Sequence, residues 1–103
     1  MSITYGNYLF KGPIPIVEWK PPYKAGIYTL LIPDPRWDPI PYRPIYIGES
    51  GNLSRRDFIR AHRQYPDWIQ LAGSEDNLYI AVYLMPNSTP GERGVIEYQL
   101  DAH

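Results

Sequence analysis

The chain has 103 residues, enough for one buried core and too few for two domains, and 44% hydrophobic content can offset the ordering entropy in spite of 12 prolines. A formal net charge of −1 excludes a surface coated in cations for non-specific nucleic-acid binding, so any such contact has to come from a local patch. Cysteine is absent, which excludes disulfides and thiolate metal sites, and no apolar run approaches the ~18 residues that span a bilayer.

The start, Met1-Ser2-Ile3-Thr4-Tyr5, lacks the basic region of a secretory signal, so a soluble, cytoplasmic protein without a membrane partner is expected. Residues 1–23 carry Gly6, Gly12, Pro13, Pro15, Pro21 and Pro22 around the apolar segment 14–19. Proline removes ladder donors and belongs at strand edges or starts, so this segment reads as a covering arm or short edge strand packed on the main sheet. The run AGIYTLLI at 25–32, bounded by Pro33, reads as a mostly buried strand. Residues 33–44 hold five prolines in twelve positions and form a stiff, extended connection, a candidate substrate-facing element. Strand character resumes at Ile45-Tyr46-Ile47 and ends at Gly48 and Ser50-Gly51, which predicts a long-looped antiparallel hairpin.

Asn52 then offers an N-cap for LSRRDFIRAHRQY, read as a helix over 53–65 that Pro66 stops or redirects. At 3.6 residues per turn Leu53, Phe58, Ala61 and Tyr65 share an arc of about 140°, and Arg56, Arg60 and Arg63 one of about 60° on the opposite side. One face is core and the other basic. Residues 66–71 read as a short further helical turn before Gly73. The near-continuous apolar run NLYIAVYLM at 77–85 is the expected middle strand of the sheet. Thr89 and Glu92 stand at capping-box spacing and open a helix over 91–102, buried through Val95, Ile96 and Leu100 with Tyr98 or Gln99. The order β-β-α-β-α, with the turn at 66–71 as a minor extra, predicts an α+β fold in which helices flank a small, mainly antiparallel three-stranded sheet.

The triplets Gly26-Ile27-Tyr28 and Tyr46-Ile47-Gly48 match the signature after which the GIY-YIG nucleases are named. The segment continues into Glu49-Ser50-Gly51-Asn52-Leu53-Ser54-Arg55-Arg56, which resembles the family's turn, Asn-Leu helix start and arginine ten residues after the tyrosine. Arg93-Gly94-Val95-Ile96-Glu97-Tyr98-Gln99-Leu100 resembles its last helix, and the likeness covers residues 24–101. The resemblance implies an arm (1–23) and a GIY-YIG-like nuclease domain (24–103). It implies that Glu97 is the single carboxylate holding Mg²⁺ or Mn²⁺, that Arg56 contacts the scissile phosphate, and that Tyr28 and Tyr46 line the site, one of them orienting or deprotonating the attacking water. Asn52, Gly48, Arg55, Arg60 and Arg63 are the accompanying substrate-binding candidates. The implied activity is one-metal endonucleolytic hydrolysis of DNA, with a protein partner or homodimer for targeting.

Those residue types suit the chemistry, because a cation and a guanidinium fork lower the barrier where phosphoryl oxygens gain charge. Mg²⁺ keeps most of its waters and needs few carboxylates. Two departures, Glu49 after the second triplet and Arg60 four residues after Arg56, support an alternative: the same fold holding nucleic acid or a protein without cleaving it. Plain readings stand beside each residue. The arginines can be a solvated face with Asp57, Glu97 an exposed residue paired with Arg93, and His62 and His103 incidental. Trp19 and Trp68 read as packing residues, while Trp37, in an exposed loop, is the better candidate for stacking on a base.

Overall fold

A computed structural model describes residues 2–37, 39–55 and 58–101. It contains strands β1 (Ser2–Tyr5), β2 (Tyr8–Pro15), β3 (Gly26–Pro33), β4 (Tyr42–Ser50) and β5 (Tyr79–Leu84), and helices α1 (Tyr65–Ala72) and α2 (Pro90–Asp101). The strands form one antiparallel sheet in the order β1-β2-β5-β3-β4, so β5 takes the middle position expected of it. No helix among the described residues is long and apolar enough to cross a membrane.

β3 shows why its sequence is almost wholly apolar: alternate side chains serve two cores. Tyr28, Leu30 and Ile32 join Ile80, Val82, Leu53, Ile59 and Trp68 under α1, and Ile27 and Leu31 join Ile3, Phe10 and Ala81 under Ile96 and Leu100 of α2. With both faces covered, polar alternation has no place to appear.

The α+β class holds, but the sheet has five strands where three were expected. Residues 1–23 supply the other two, since β1 and β2 pair as a hairpin and β2 pairs with β5. The prolines that argued for an arm are accommodated rather than excluded. Pro13 falls where the β2–β5 register shifts, between Lys11 and Ile14, and Pro15 ends the strand. Phe10, fully buried, makes this segment part of the core.

The helix expected over 53–65 is absent from the described residues of that stretch. They form turns closed by i→i+3 bonds, such as Arg55 N to Asn52 O at 3.1 Å and His62 N to Ile59 O at 3.1 Å. Tertiary anchoring overrides the periodicity here. The Asn52 side chain accepts from Ser54 N at 2.9 Å and Ser54 Oγ at 2.6 Å, and Leu53 N donates to the distant Lys24 carbonyl at 2.8 Å. Of the expected stripe Leu53 is buried, Phe58 and Tyr65 are partly buried and Ala61 is exposed, while Ile59, outside that stripe, is buried. The α-helix begins at Tyr65, with Pro66 in its first turn and Gly73 at its end, so the short helical turn expected over 66–71 is present and runs to eight residues.

α2 starts as anticipated. Thr89 N donates to Glu92 Oε1 at 2.8 Å and Glu92 N to Thr89 Oγ1 at 3.1 Å. Its buried side differs: Arg93, Ile96 and Leu100 face inward, whereas Val95 and Tyr98 are 58% and 76% exposed.

Candidate functional site

The β3–β4 register builds the site. It sets Tyr28 opposite Gly48 and Leu30 opposite Tyr46, which brings the tyrosines of both triplets to one face with ring centroids 6.1 Å apart. Each triplet's glycine has a steric reason. A Cβ at Gly48 would lie 2.6 Å from both Cζ and the hydroxyl oxygen of Tyr28, and one at Gly26 would lie 2.6 Å from the Tyr83 carbonyl oxygen. The Tyr28 ring therefore passes directly over Gly48 towards the outer edge of the sheet.

A cleft of about 370 Å³ opens there, and its lining includes Tyr28, Tyr46, Gly48, Arg55, His62 and Glu97, with Glu49, Ser50 and Phe58. Glu97 arrives on α2, which packs mainly on β4. One turn earlier Arg93, only 4% exposed, anchors that helix. Its Nε donates to Glu49 Oε2 at 2.5 Å, and its Nη1 donates to the carbonyl and hydroxyl oxygens of Ser88 at 2.7 and 2.9 Å. Arg93 thus pairs with Glu49 and not with Glu97, contrary to the plain reading by spacing. Glu49 in turn has a cationic partner at one of its carboxylate oxygens.

Burial, then the charges of Glu49 and Asp101, push the Glu97 carboxyl above its usual value. Such a carboxyl gains from a nearby cation. Among the described residues no group of three or more His, Asp or Glu side chains surrounds a metal position. With Glu49 bonded to Arg93, the half-buried Glu97 carboxylate is the donor left to a cation, which fits a hydrated Mg²⁺ or Mn²⁺ and not a dehydrated, multiply ligated ion. Tyr28 has its hydroxyl pushed well above the phenol range, first by burial, then by Tyr46 and Glu97. It is a neutral donor at physiological pH and not a base.

His62, set aside in the sequence as incidental, belongs to the site. Its Nδ1 accepts from Gln64 N at 3.1 Å, so the ring proton sits on Nε2, 3.3 Å from the Tyr46 hydroxyl. The imidazole stacks on Trp68 at 4.7 Å. Nothing in the local pattern marked it, because the turn that carries it replaced the predicted helix.

The arginines separate. Arg55 lines the cleft, and Arg56 lies outside the described residues. Arg60 does not line it; its Nε and Nη2 donate to Glu75 at 3.0 and 3.2 Å, and Tyr65 donates to the same carboxylate. Arg63 is exposed and outside the lining, and Asn52 shapes the neighbouring turn without lining the cleft. The basic helical face is therefore dispersed. Comparison with protein-family models, with curated proteins and with solved structures gives no match.

Proposed function

We propose that the chain is a small divalent-metal-dependent endonuclease that hydrolyses DNA phosphodiester bonds in the cleft at Gly48. The observation that carries this reading is the meeting of two phenols, an arginine, an imidazole and a carboxylate, Tyr28, Tyr46, Arg55, His62 and Glu97, in one cleft. The resemblance to the GIY-YIG nucleases supports it, and in it Arg56 adds a second guanidinium.

Glu97 would hold the Mg²⁺ or Mn²⁺, which when bound would supply charge neutralisation at the phosphoryl oxygens and Lewis-acid activation of water. Tyr28, kept neutral, donates to a nonbridging oxygen. Arg55 presents its fork to the same group, where it binds most strongly as negative charge builds. His62 donates from Nε2 to Tyr46, so the phenol is held at a fixed angle with a remaining lone pair towards the cleft. That oxygen orients the attacking water.

The test is nicking of supercoiled plasmid with Mg²⁺ or Mn²⁺. Wild type nicks, while Glu97→Ala abolishes nicking and Arg55→Ala or Tyr46→Phe lowers it about 10²–10³-fold, the usual loss for one group that stabilises developing charge. Nicking by Glu97→Ala at the wild-type rate would refute the proposal. The second reading, a module that binds nucleic acid or a protein partner without cleaving it, is favoured by Arg60 being tied to Glu75. It predicts DNA binding that survives Glu97→Ala and no nicking by wild type.

A further inference from the structure

We propose that a second hollow beside the cleft is a nucleobase subsite, so that the substrate is nucleic acid with an unpaired base next to the scissile phosphate. This inference rests on the endonuclease reading and narrows its substrate class. The hollow, about 370 Å³, lies between the outer strand β4, the β1–β2 turn, the end of α2 and the loop before β4. Tyr5, Trp37, Pro44, Tyr46, Leu100 and Asp101 contribute to its walls.

Its chemistry is the complement of the cleft's. No lysine or arginine among the described residues lines it, so it offers a phosphate nothing, whereas the Trp37 indole offers a flat, uncharged group a surface for stacking. The Asp101 carboxylate at the end of α2 can accept from the exocyclic amino group of adenine, cytosine or guanine.

Trp37 is 46% exposed, yet its loop is braced. Asp34, itself buried, accepts from Arg36 N and Nε at 3.0 Å and Nη2 at 2.9 Å, and Arg43 Nε lies 3.4 Å away. Trp37 N donates to the Asp34 carbonyl at 3.0 Å, and Asp34 N to the Pro41 carbonyl at 2.9 Å. An exposed indole on so fixed a turn is a platform that loses little freedom when a ring lands on it.

Glu97 of the cleft and Asp101 of the hollow stand one turn apart on α2, roughly 6 Å along its axis. A base and a neighbouring phosphate of one strand can therefore occupy both together. A base inside a duplex is stacked and paired and cannot enter, which selects single strands, bulges or mismatches.

The experiment is fluorescence anisotropy in EDTA, where no cleavage occurs, with a labelled 15-base-pair duplex containing one bulged adenine and the same duplex with an abasic bulge. Wild type binds the adenine bulge roughly 5- to 150-fold more tightly than the abasic one, the range of one base–aromatic stack. Trp37→Ala removes that difference, Trp37→Phe keeps most of it, and Arg55→Ala weakens both complexes alike. Equal binding of the two bulges by wild type, or a preference that survives Trp37→Ala, overturns the inference. Displacement of the oligonucleotide by an extended apolar peptide but not by adenosine also overturns it, assigning the hollow to a peptide strand. The two readings fail separately. Discrimination by a protein that never nicks DNA supports the subsite without the nuclease, and nicking without discrimination leaves the nuclease and removes the subsite.

Discussion

Gly48 and Glu97 illustrate how single residues serve a site at a cost to their surroundings. The glycine is there because the Tyr28 ring occupies the space of its missing side chain. Glu97 sits where burial and two neighbouring acids disfavour its charge. Its proton is held more tightly in the folded chain than in the unfolded one, so the unfolded form ionises first as pH rises past the ordinary carboxyl range. Stability then declines through the window up to the raised native value. Glu97→Gln is therefore expected to unfold at higher urea than wild type at pH 7, and the gain should vanish below about pH 4, where both forms are protonated. Urea titrations at the two pH values measure it; a variant equal to wild type at pH 7 would mean the carboxylate is better solvated than its position implies. The two triplets were legible in the sequence as a pair. His62 was not, because its place depends on a turn held from outside its own segment.

At the level of elements, α2 is aligned on β4 by a clamp made of charge. Arg93 bonds Glu49 and Ser88 and leaves Glu97, one turn on, facing the cleft. Arg93→Met strands Glu49 and is expected to destabilise by about 2–3 kcal/mol, towards the low end for a broken buried pair because Glu49 retains some solvent. Arg93→Met combined with Glu49→Met should recover most of that loss, since replacing both partners with apolar groups is often near neutral. Unfolding midpoints for the single and double variants decide it, and a double variant no better than the single one would rule out the ion pair as the cause. The start of α2 could be read from Thr89 and Glu92 alone, two residues three positions apart that satisfy each other. The segment before α1 could not. Its periodicity suits a helix, but its described backbone closes i→i+3 turns, and Leu53 N donates to the distant Lys24 carbonyl.

For the molecule as a whole, the decisive fact is that β2 lies beside β5, so the first 23 residues complete the sheet. Their removal would uncover the core around Phe10 and leave one edge of β5 unpaired. The chain shortened to residues 24–103 is accordingly expected to show no cooperative thermal transition, whereas the full chain shows one; a sharp transition by circular dichroism in the short form would restore the two-part division that the prolines suggested. The sequence by itself determined what depends on a few adjoining residues: the β-branched runs of β3 and β5, the capping box, the paired triplets and the α+β class. Only the tertiary structure decided the number of strands, the loss of the 53–65 helix, the dispersal of the arginines and the entry of His62 into the cleft. The physical reason is reach. Caps and periodicity act over three or four residues, while the Arg93–Glu49 bond spans 44 positions and the Tyr46–His62 contact 16, and no local pattern records partners that far apart.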